Sequence, residues 1–305
     1  VQKKKMTGNG FLLLITIALF VVMYVAGMIV FADKGFAKPQ MFLNLFVSNA
    51  GLLVIACGLT IVMITGGIDI SVGSVTALVC MVLADLMENK GVNAYAAVLV
   101  ALLIGVAFGI VQGFLVAYLD IQPFIVTLAG MFFGRGLTAI ISTDMISIKN
   151  KTFLAWANYK IYLPIGSYSR RGKFIPAYIY PTVIIAILIF IVVLDGLLAG
   201  CGGFLFCLNS CSGFVEQAKG LEMDAISASV IGGTLLSGGV GTPFGTVFGV
   251  LIKGTISSLI TTQGTLSSWW VRIALSALLC FFIVLRALSC MTSVTCRCLF
   301  VFFLK

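Results

Sequence analysis

The chain has 305 residues, 61% of them hydrophobic and 10% charged, with a mean hydropathy of +1.18. A soluble globular domain carries about 25% charged residues, so this composition excludes one and indicates a polytopic membrane protein. Histidine is absent, which excludes His-based triads, His-metal sites and imidazole proton relays, and the formal charge of +9 comes with no basic stripe or aromatic motif of a nucleic-acid binder.

At about 20 apolar residues per span the chain has room for about eight to ten spans. Lys3, Lys4 and Lys5 predict a cytoplasmic start. The first span, 11–31, is long enough to cross the bilayer and lacks a small-residue cleavage site, so it reads as a retained helix. After Pro39 come spans at 41–65, 70–87, 95–119 and 123–141, then a polar, aromatic loop over 142–177. Beyond it lie 178–194, 196–210, a short segment of re-entrant character at 225–236, and spans at 243–262 and 268–288. The expected fold class is all-α, a transmembrane helical bundle forming a single domain over 1–305. Its first half is 11–141, its second half 178–288, and 289–305 is a Cys-rich apolar tail. The nine cysteines include no zinc-type C-x-x-C pair, so neither a metal site nor a cofactor is expected.

The most informative feature is a motif that occurs twice, each time within a long apolar stretch. Gly66, Gly67, Ser71 and Gly73 stand in ITGGIDISVGSV, and Gly232, Gly233, Ser237 and Gly239 stand in VIGGTLLSGGVGT, with Thr234 directly after the second pair. Each Gly costs a helix about 1 kcal/mol relative to Ala, so the two pairs predict helix breaks. Paired interruptions in the two halves of a membrane protein point to a transport site between broken helices. Breaking at Gly66-Gly67 frees backbone N–H groups, for which Asp69, Ser71 and Ser74 supply capping oxygens. Freed backbone and Ser/Thr oxygens suit the hydroxyls of a sugar; close packing of small residues is the alternative role for the same glycines.

Intramembrane charges are functional hypotheses by default. Asp69 either caps a half-helix or meets the pathway. Arg135, about 20 Å into its span at helical rise, either lines a cavity or snorkels to the outer interface. Glu222 and Asp224 read as N-terminal helix carboxylates, Lys253 and Arg272 as counter-charges, and Trp269 and Trp270 as an aromatic belt. No phosphate-binding Gly-x-x-x-x-Gly-Lys-Ser/Thr occurs, so any ATP drive must come from a partner.

Four segments carry a family resemblance: GLLVIACGLTIVMITGGIDISVG over 51–73, QPFIVTLAGMFFGRG over 122–136, LEMDAISASVIGGTLLSGGVG over 221–241 and GTLSSWWVRI over 264–273. In this order, within a similarity running from about 11 to 288, they resemble the permease subunit of bacterial ATP-binding-cassette monosaccharide importers of the ribose, xylose and galactose type. TLAGMFF, SGGVGT and GTLSSWW are most similar to the galactofuranose importer's permease. The resemblance implies a multi-pass protein of the bacterial cytoplasmic membrane, without enzymatic activity of its own. It further implies a second permease subunit (identical or a paralogue), a cytoplasmic ABC ATPase, a periplasmic sugar-binding protein and a monosaccharide as partners. The substrate pathway is expected along Gly66, Gly67, Asp69, Ser71, Gly73, Ser74, Gln122, Thr127, Arg135, Gly232, Gly233, Thr234, Ser237 and Gly239. It also requires the 142–177 loop to be extracytoplasmic, although Lys149, Lys151, Lys160, Arg170, Arg171 and Lys173 against Asp144 give that loop a net +5, contrary to the positive-inside rule.

The chain departs from this pattern at one place. In the resembled permeases a basic cytoplasmic loop, carrying the short helix that sits in the ATPase groove, follows the span that ends here at Leu194. This chain runs from IFIVVL straight into DGLLAGCGG. The alternatives are therefore a truncated or inactive permease-like subunit that cannot couple to the ATPase, or an ion-coupled secondary sugar transporter. The latter would want paired membrane carboxylates, and Asp69 aligns with Leu235 in the second motif.

Overall fold

The structure is a computed structural model, and it describes residues 8–168, 174–192, 195–265, 267 and 269–291. Lys3, Lys4, Lys5, Arg170, Arg171, Lys173, Leu194 and the tail from 292 lie outside the described residues.

The chain is mostly helical. In order come α1 (Gly8–Val30), α2 (Pro39–Ile64), α3 (Val72–Glu88), α4 (Ala94–Leu119), α5 (Pro123–Ile141), β1 (Ile146–Ser147), α6 (Lys151–Asn158), β2 (Ile161–Tyr168) and β3 (Phe174–Ile179). Then follow α7 (Pro181–Val192), α8 (Asp195–Ser210), β4 (Ser212–Gly213), α9 (Leu221–Ile231), α10 (Pro243–Gln263) and α11 (Trp269–Met291). Local chemistry sets several of these boundaries. Proline occupies the first turn of α2, α5 and α10, where its missing N–H has no intrahelical partner to lose. Asn93 and Thr242 accept from the first-turn N–H groups of Tyr95 and Gly245, at 3.2 Å in both cases, and so cap α4 and α10.

All ten predicted spans coincide with helices. Among the described residues, five of these are long and apolar enough to cross a membrane alone: Gly10–Val30, Pro39–Ile64, Ala94–Leu119, Pro123–Ile141 and Pro243–Gln263. α3, α7, α8 and α9 are shorter. At helical rise α7, α8 and α9 reach about 16–24 Å against a hydrocarbon core of about 30 Å. The re-entrant segment expected at 225–236 is α9, which starts four residues earlier and stops at Gly232. The 142–177 loop is built rather than irregular. It holds α6 and an antiparallel hairpin of β2 with β3, whose register shifts between Tyr162 and Gly166, around Pro164, where a ladder donor is missing. β1 pairs with β4, Ile146 opposite Gly213, and ties this region to the end of α8.

α2 is the central post, packing against α7, α8, α9 and α10. α3 lies behind it, between α4, α5 and α8, and is buried along most of its length. Without a hydrophobic drive between helices in lipid, close backbone approach and hydrogen bonds must hold such a bundle. Both are present. A Cβ on Gly202 of α8 would occupy the place of Ile55 Cγ1 on α2, and one on Gly249 of α10 would overlap the Ala228 carbonyl oxygen of α9. At the centre the buried hydroxyls of Ser229 (α9) and Thr246 (α10) lie 3.0 and 2.6 Å from that of Thr60 (α2). Asp224 of α9 pairs with Lys253 of α10 at 3.1 Å, so the N-terminal carboxylate has its counter-charge on the neighbouring helix.

The α9–α10 contact should be intolerant of volume. Gly249→Leu is expected to cost at least about 1–3 kcal/mol of stability by overpacking. Gly136→Ala, where a Cβ meets open space, should be neutral or stabilising. Thermal unfolding of the purified chain in detergent would compare the two, and equal melting temperatures would refute the tight contact.

Candidate functional site

The two Gly-Gly motifs do end helices, and they do so with the same hydrogen bonds. After α2, the Gly66 N–H donates to Met63 O at 3.0 Å and the Gly67 N–H to Val62 O at 3.1 Å. After α9, the Gly233 N–H donates to Val230 O at 2.9 Å and the Thr234 N–H to Ser229 O at 3.0 Å. Each is a Schellman closure, in which a left-handed residue turns the chain so that its N–H groups satisfy the last carbonyls. The left-handed residue is Gly66 (φ +88°) in the first and Gly233 (φ +99°) in the second. The motifs therefore superpose one residue out of step with their sequence alignment, because α9 runs one residue further into its glycine pair.

The breaks meet. The Gly239 N–H donates to Ile64 O, the last carbonyl of α2, at 2.8 Å, and a Cβ on Gly238 would fall 2.7 Å from Gly66 Cα. The loop of the second motif thus completes the cap of the first.

Beside the first break lies a cavity of about 810 Å³, walled by α2, α3, α4 and the start of α5. Its wall is largely apolar, with Leu59, Val62, Val75, Phe108 and Val116, and carries a small polar edge of Thr65, Asp69, Ser71, Gln112 and Thr127. That size and make-up suit a small organic ligand. The edge is organised as a chain of hydrogen bonds. Gln112 Nε2 donates to Ser71 Oγ at 3.0 Å, and the Ser71 hydroxyl donates to Asp69 Oδ1 at 2.6 Å. Asp69 Oδ1 also accepts from the Ser71 N–H at 2.7 Å, and Thr127 Oγ1 donates to Ile68 O at 3.1 Å. Asp69 thus holds the turn into α3 through the N–H of Ser71 and caps no first-turn N–H. Ser71 sits at the N-cap without capping, and Ser74 turns back to the Ser71 carbonyl at 2.7 Å, which corrects the expectation that all three oxygens cap.

Of the predicted pathway residues, Gly66, Gly67, Asp69, Ser71 and Thr127 line this cavity, and the rest do not. Gly73 is a packing position, where the Glu222 carboxylate occupies the space of a Cβ. Gln122 is exposed at the N-cap of α5. Gly232 packs against the backbone of Gly245, Thr234 is buried against Gly241, and Ser237 and Gly239 are exposed on the second loop. Arg135 neither lines the cavity nor snorkels outward: its Nη1 donates to Val215 O at 2.9 Å and Gln217 O at 3.0 Å, clamping α5 to the segment before α9. Arg272 stacks over Trp269 at 5.1 Å. The residue that sequence reasoning missed is Gln112. Its only sequence signal is a lone amide in the apolar run 94–119.

The family model described as "Branched-chain amino acid transport system / permease component" matches residues 41–192 and 180–284. The chain belongs to this permease family. A permease component is the membrane part of an ABC importer and carries no ATPase domain, so this chain is a transporter subunit, not an enzyme. It resides in the inner membrane, crossing it several times. Among similar permeases is the inner membrane ABC transporter permease protein YjfF of Escherichia coli (strain K12), 37% identical over 303 positions that take in 90% of this chain and 91% of the relative. The fructose import permease protein FruG of Bifidobacterium longum (strain NCC 2705) is 28% identical, over 90% of this chain and 89% of its own. The autoinducer 2 import system permease protein LsrC of Yersinia pestis (strain Pestoides F) is 29% identical, over 83% and 79%. No solved structure matches the chain.

The two Schellman closures make parallel demands on this permease. Gly66→Ala and Gly233→Ala place a Cβ where nothing lies within 4 Å, so their effect isolates the left-handed backbone. Each should cost about 1–2 kcal/mol, read as a lowered melting temperature with membrane insertion unchanged. A variant as stable as the unaltered chain would show that its break does not need the left-handed turn.

Proposed function

We propose that the chain is the translocating subunit of an ABC importer for a neutral monosaccharide, with the cavity beside Gly66 and Gly67 as part of the path. The observation that carries this reading is the composition of that cavity: apolar walls from span-forming helices and a short polar edge of hydroxyl, amide and carboxylate oxygens. A sugar presents hydroxyls that both donate and accept, and its ring faces are apolar. The names of similar permeases favour the same class, two of them referring to fructose import. Within it, a pentose or a hexofuranose such as galactofuranose is the finer proposal, on the motifs TLAGMFF, SGGVGT and GTLSSWW. A second permease subunit, a cytoplasmic ABC ATPase and a periplasmic sugar-binding protein complete the proposed importer.

Gly67→Leu fills the cavity wall, and Gly233→Leu strains the second break. Each should abolish sugar uptake in proteoliposomes reconstituted with the ATPase and binding protein, while inserting normally. Unchanged uptake in both would remove the assigned path.

A second reading, favoured by a separate observation, is a permease that assembles without coupling. The basic segment expected after Leu194 is absent, and α7 and α8, with 12 and 16 residues, follow each other almost directly. In keeping with this, the family model matches in two stretches that overlap over 180–192. The alignment with the E. coli permease spans 303 positions while taking in only 90% of these 305 residues, so the relative has positions inside the match with no counterpart here. A permease without contact to its ATPase cannot have its inward–outward equilibrium biased by nucleotide, since only differential contacts shift such an equilibrium. The chain as it stands should fail to co-purify with the ATPase, and a basic loop grafted between Leu194 and Asp195 should restore binding. Robust ATP-dependent uptake without the graft would eliminate the uncoupled reading.

A further inference from the structure

Resting on the monosaccharide reading of the cavity, we propose that Gln112 is a specificity-determining residue, which together with Asp69 grips two neighbouring hydroxyls of the sugar. An amide side chain in an otherwise apolar membrane helix costs free energy unless its groups are bonded. The structure meets that cost only in part. One N–H of Gln112 goes to Ser71 Oγ at 3.0 Å. The single hydroxyl proton of Ser71 is committed to Asp69 Oδ1 at 2.6 Å rather than to Gln112 Oε1 at 3.4 Å. Gln112 therefore keeps one acceptor and one donor, and both it and Asp69 face the cavity. Among the described residues Asp69 Oδ2 has no hydrogen bond, which leaves a carboxylate acceptor beside the free amide.

Two further features show that the amide is held in place rather than merely tolerated. α5 carries Gly130 opposite it, and Gln112 Nε2 fills the space that a Cβ there would need. Ser71, for its part, is satisfied by Asp69 alone, so the turn into α3 does not depend on Gln112. What remains is a donor–acceptor head and a carboxylate oxygen, both tethered to one serine oxygen and so a few ångströms apart. That is the pattern complementary to a vicinal diol: one hydroxyl donates to the carboxylate, and its neighbour donates to Gln112 Oε1. Asp69, fixed by two hydrogen bonds from Ser71, anchors while Gln112 discriminates.

The test is equilibrium binding of radiolabelled D-ribose, D-galactose and D-fructose to the purified full chain, with 2-deoxy-D-ribose and 2-deoxy-D-galactose as competitors lacking one hydroxyl of a diol. The unaltered chain should bind ribose or galactose roughly tenfold better than its deoxy analogue, the size expected for one net hydrogen bond. Gln112→Leu should weaken the parent sugar and not the deoxy analogue, bringing the ratio towards one, and Gln112→Asn should restore part of it. Gln112→Met keeps the side-chain length and serves if the Leu variant does not fold. A merely structural clamp between α3 and α4 would shift melting temperature or overall affinity but leave the ratio alone. An undiminished ratio in the Leu and Met variants, or an unaltered chain that binds parent and deoxy sugars alike, overturns the role of Gln112. If the unaltered chain binds none of the sugars, the monosaccharide reading falls and takes this one with it.

Discussion

A helix that stops inside a packed bundle leaves carbonyls that must find donors from the protein itself, and this requirement shapes the molecule. α2 solves it with two N–H groups of its own glycine pair and a third, from Gly239, supplied by a loop far along the chain. The hydrogen bond from Gly239 to Ile64 links the two halves where each is interrupted. A movement that separates the halves must break it, so the interrupted regions are mechanically one unit.

The rest of the interior follows from how closely the helices approach. Gly202, Gly245 and Gly249 remove side chains where α8, α9 and α10 cross their neighbours, and the hydroxyls of Thr60, Ser229 and Thr246 meet in the resulting contact. This places α9, one of the shortest helices, firmly between α2 and α10. It also separates the two roles that repeated glycines can play. In the first motif Gly66 turns the chain and Gly67 borders a cavity; in the second Gly233 turns the chain while Gly232 is packed against backbone. Similar sequence has been put to different use because the first break borders the cavity and the second does not.

On the proposed reading, the cavity is where the fold meets transport chemistry. Much of its polar edge belongs to the turn between one helix and the next, where Asp69 accepts from both the N–H and the hydroxyl of Ser71. Gln112 is different. It comes from a helix with no break, and nothing in the turn into α3 demands it. On the proposal made for it, the amide serves recognition, set against a surface already supplied with acceptors.

Much of the architecture was legible in the chain alone. Ten apolar runs of helical length became ten helices, and the cost of glycine within a helix placed both breaks to within a residue. Composition likewise sufficed to exclude a soluble domain, because so few charged residues cannot cover a water-facing surface. What only the tertiary structure decided is which side chains face one another. The period of a uniformly apolar helix does not mark an inward face, so Gln112 could not be told from a lipid-facing residue. Arg135 could not be matched to the carbonyls of Val215 and Gln217, some 80 residues away in sequence. The one-residue offset between the breaks depends on where α9 stops against α10, a matter of packing. Local propensity sets where a chain turns; contacts between distant helices set what each turn is next to.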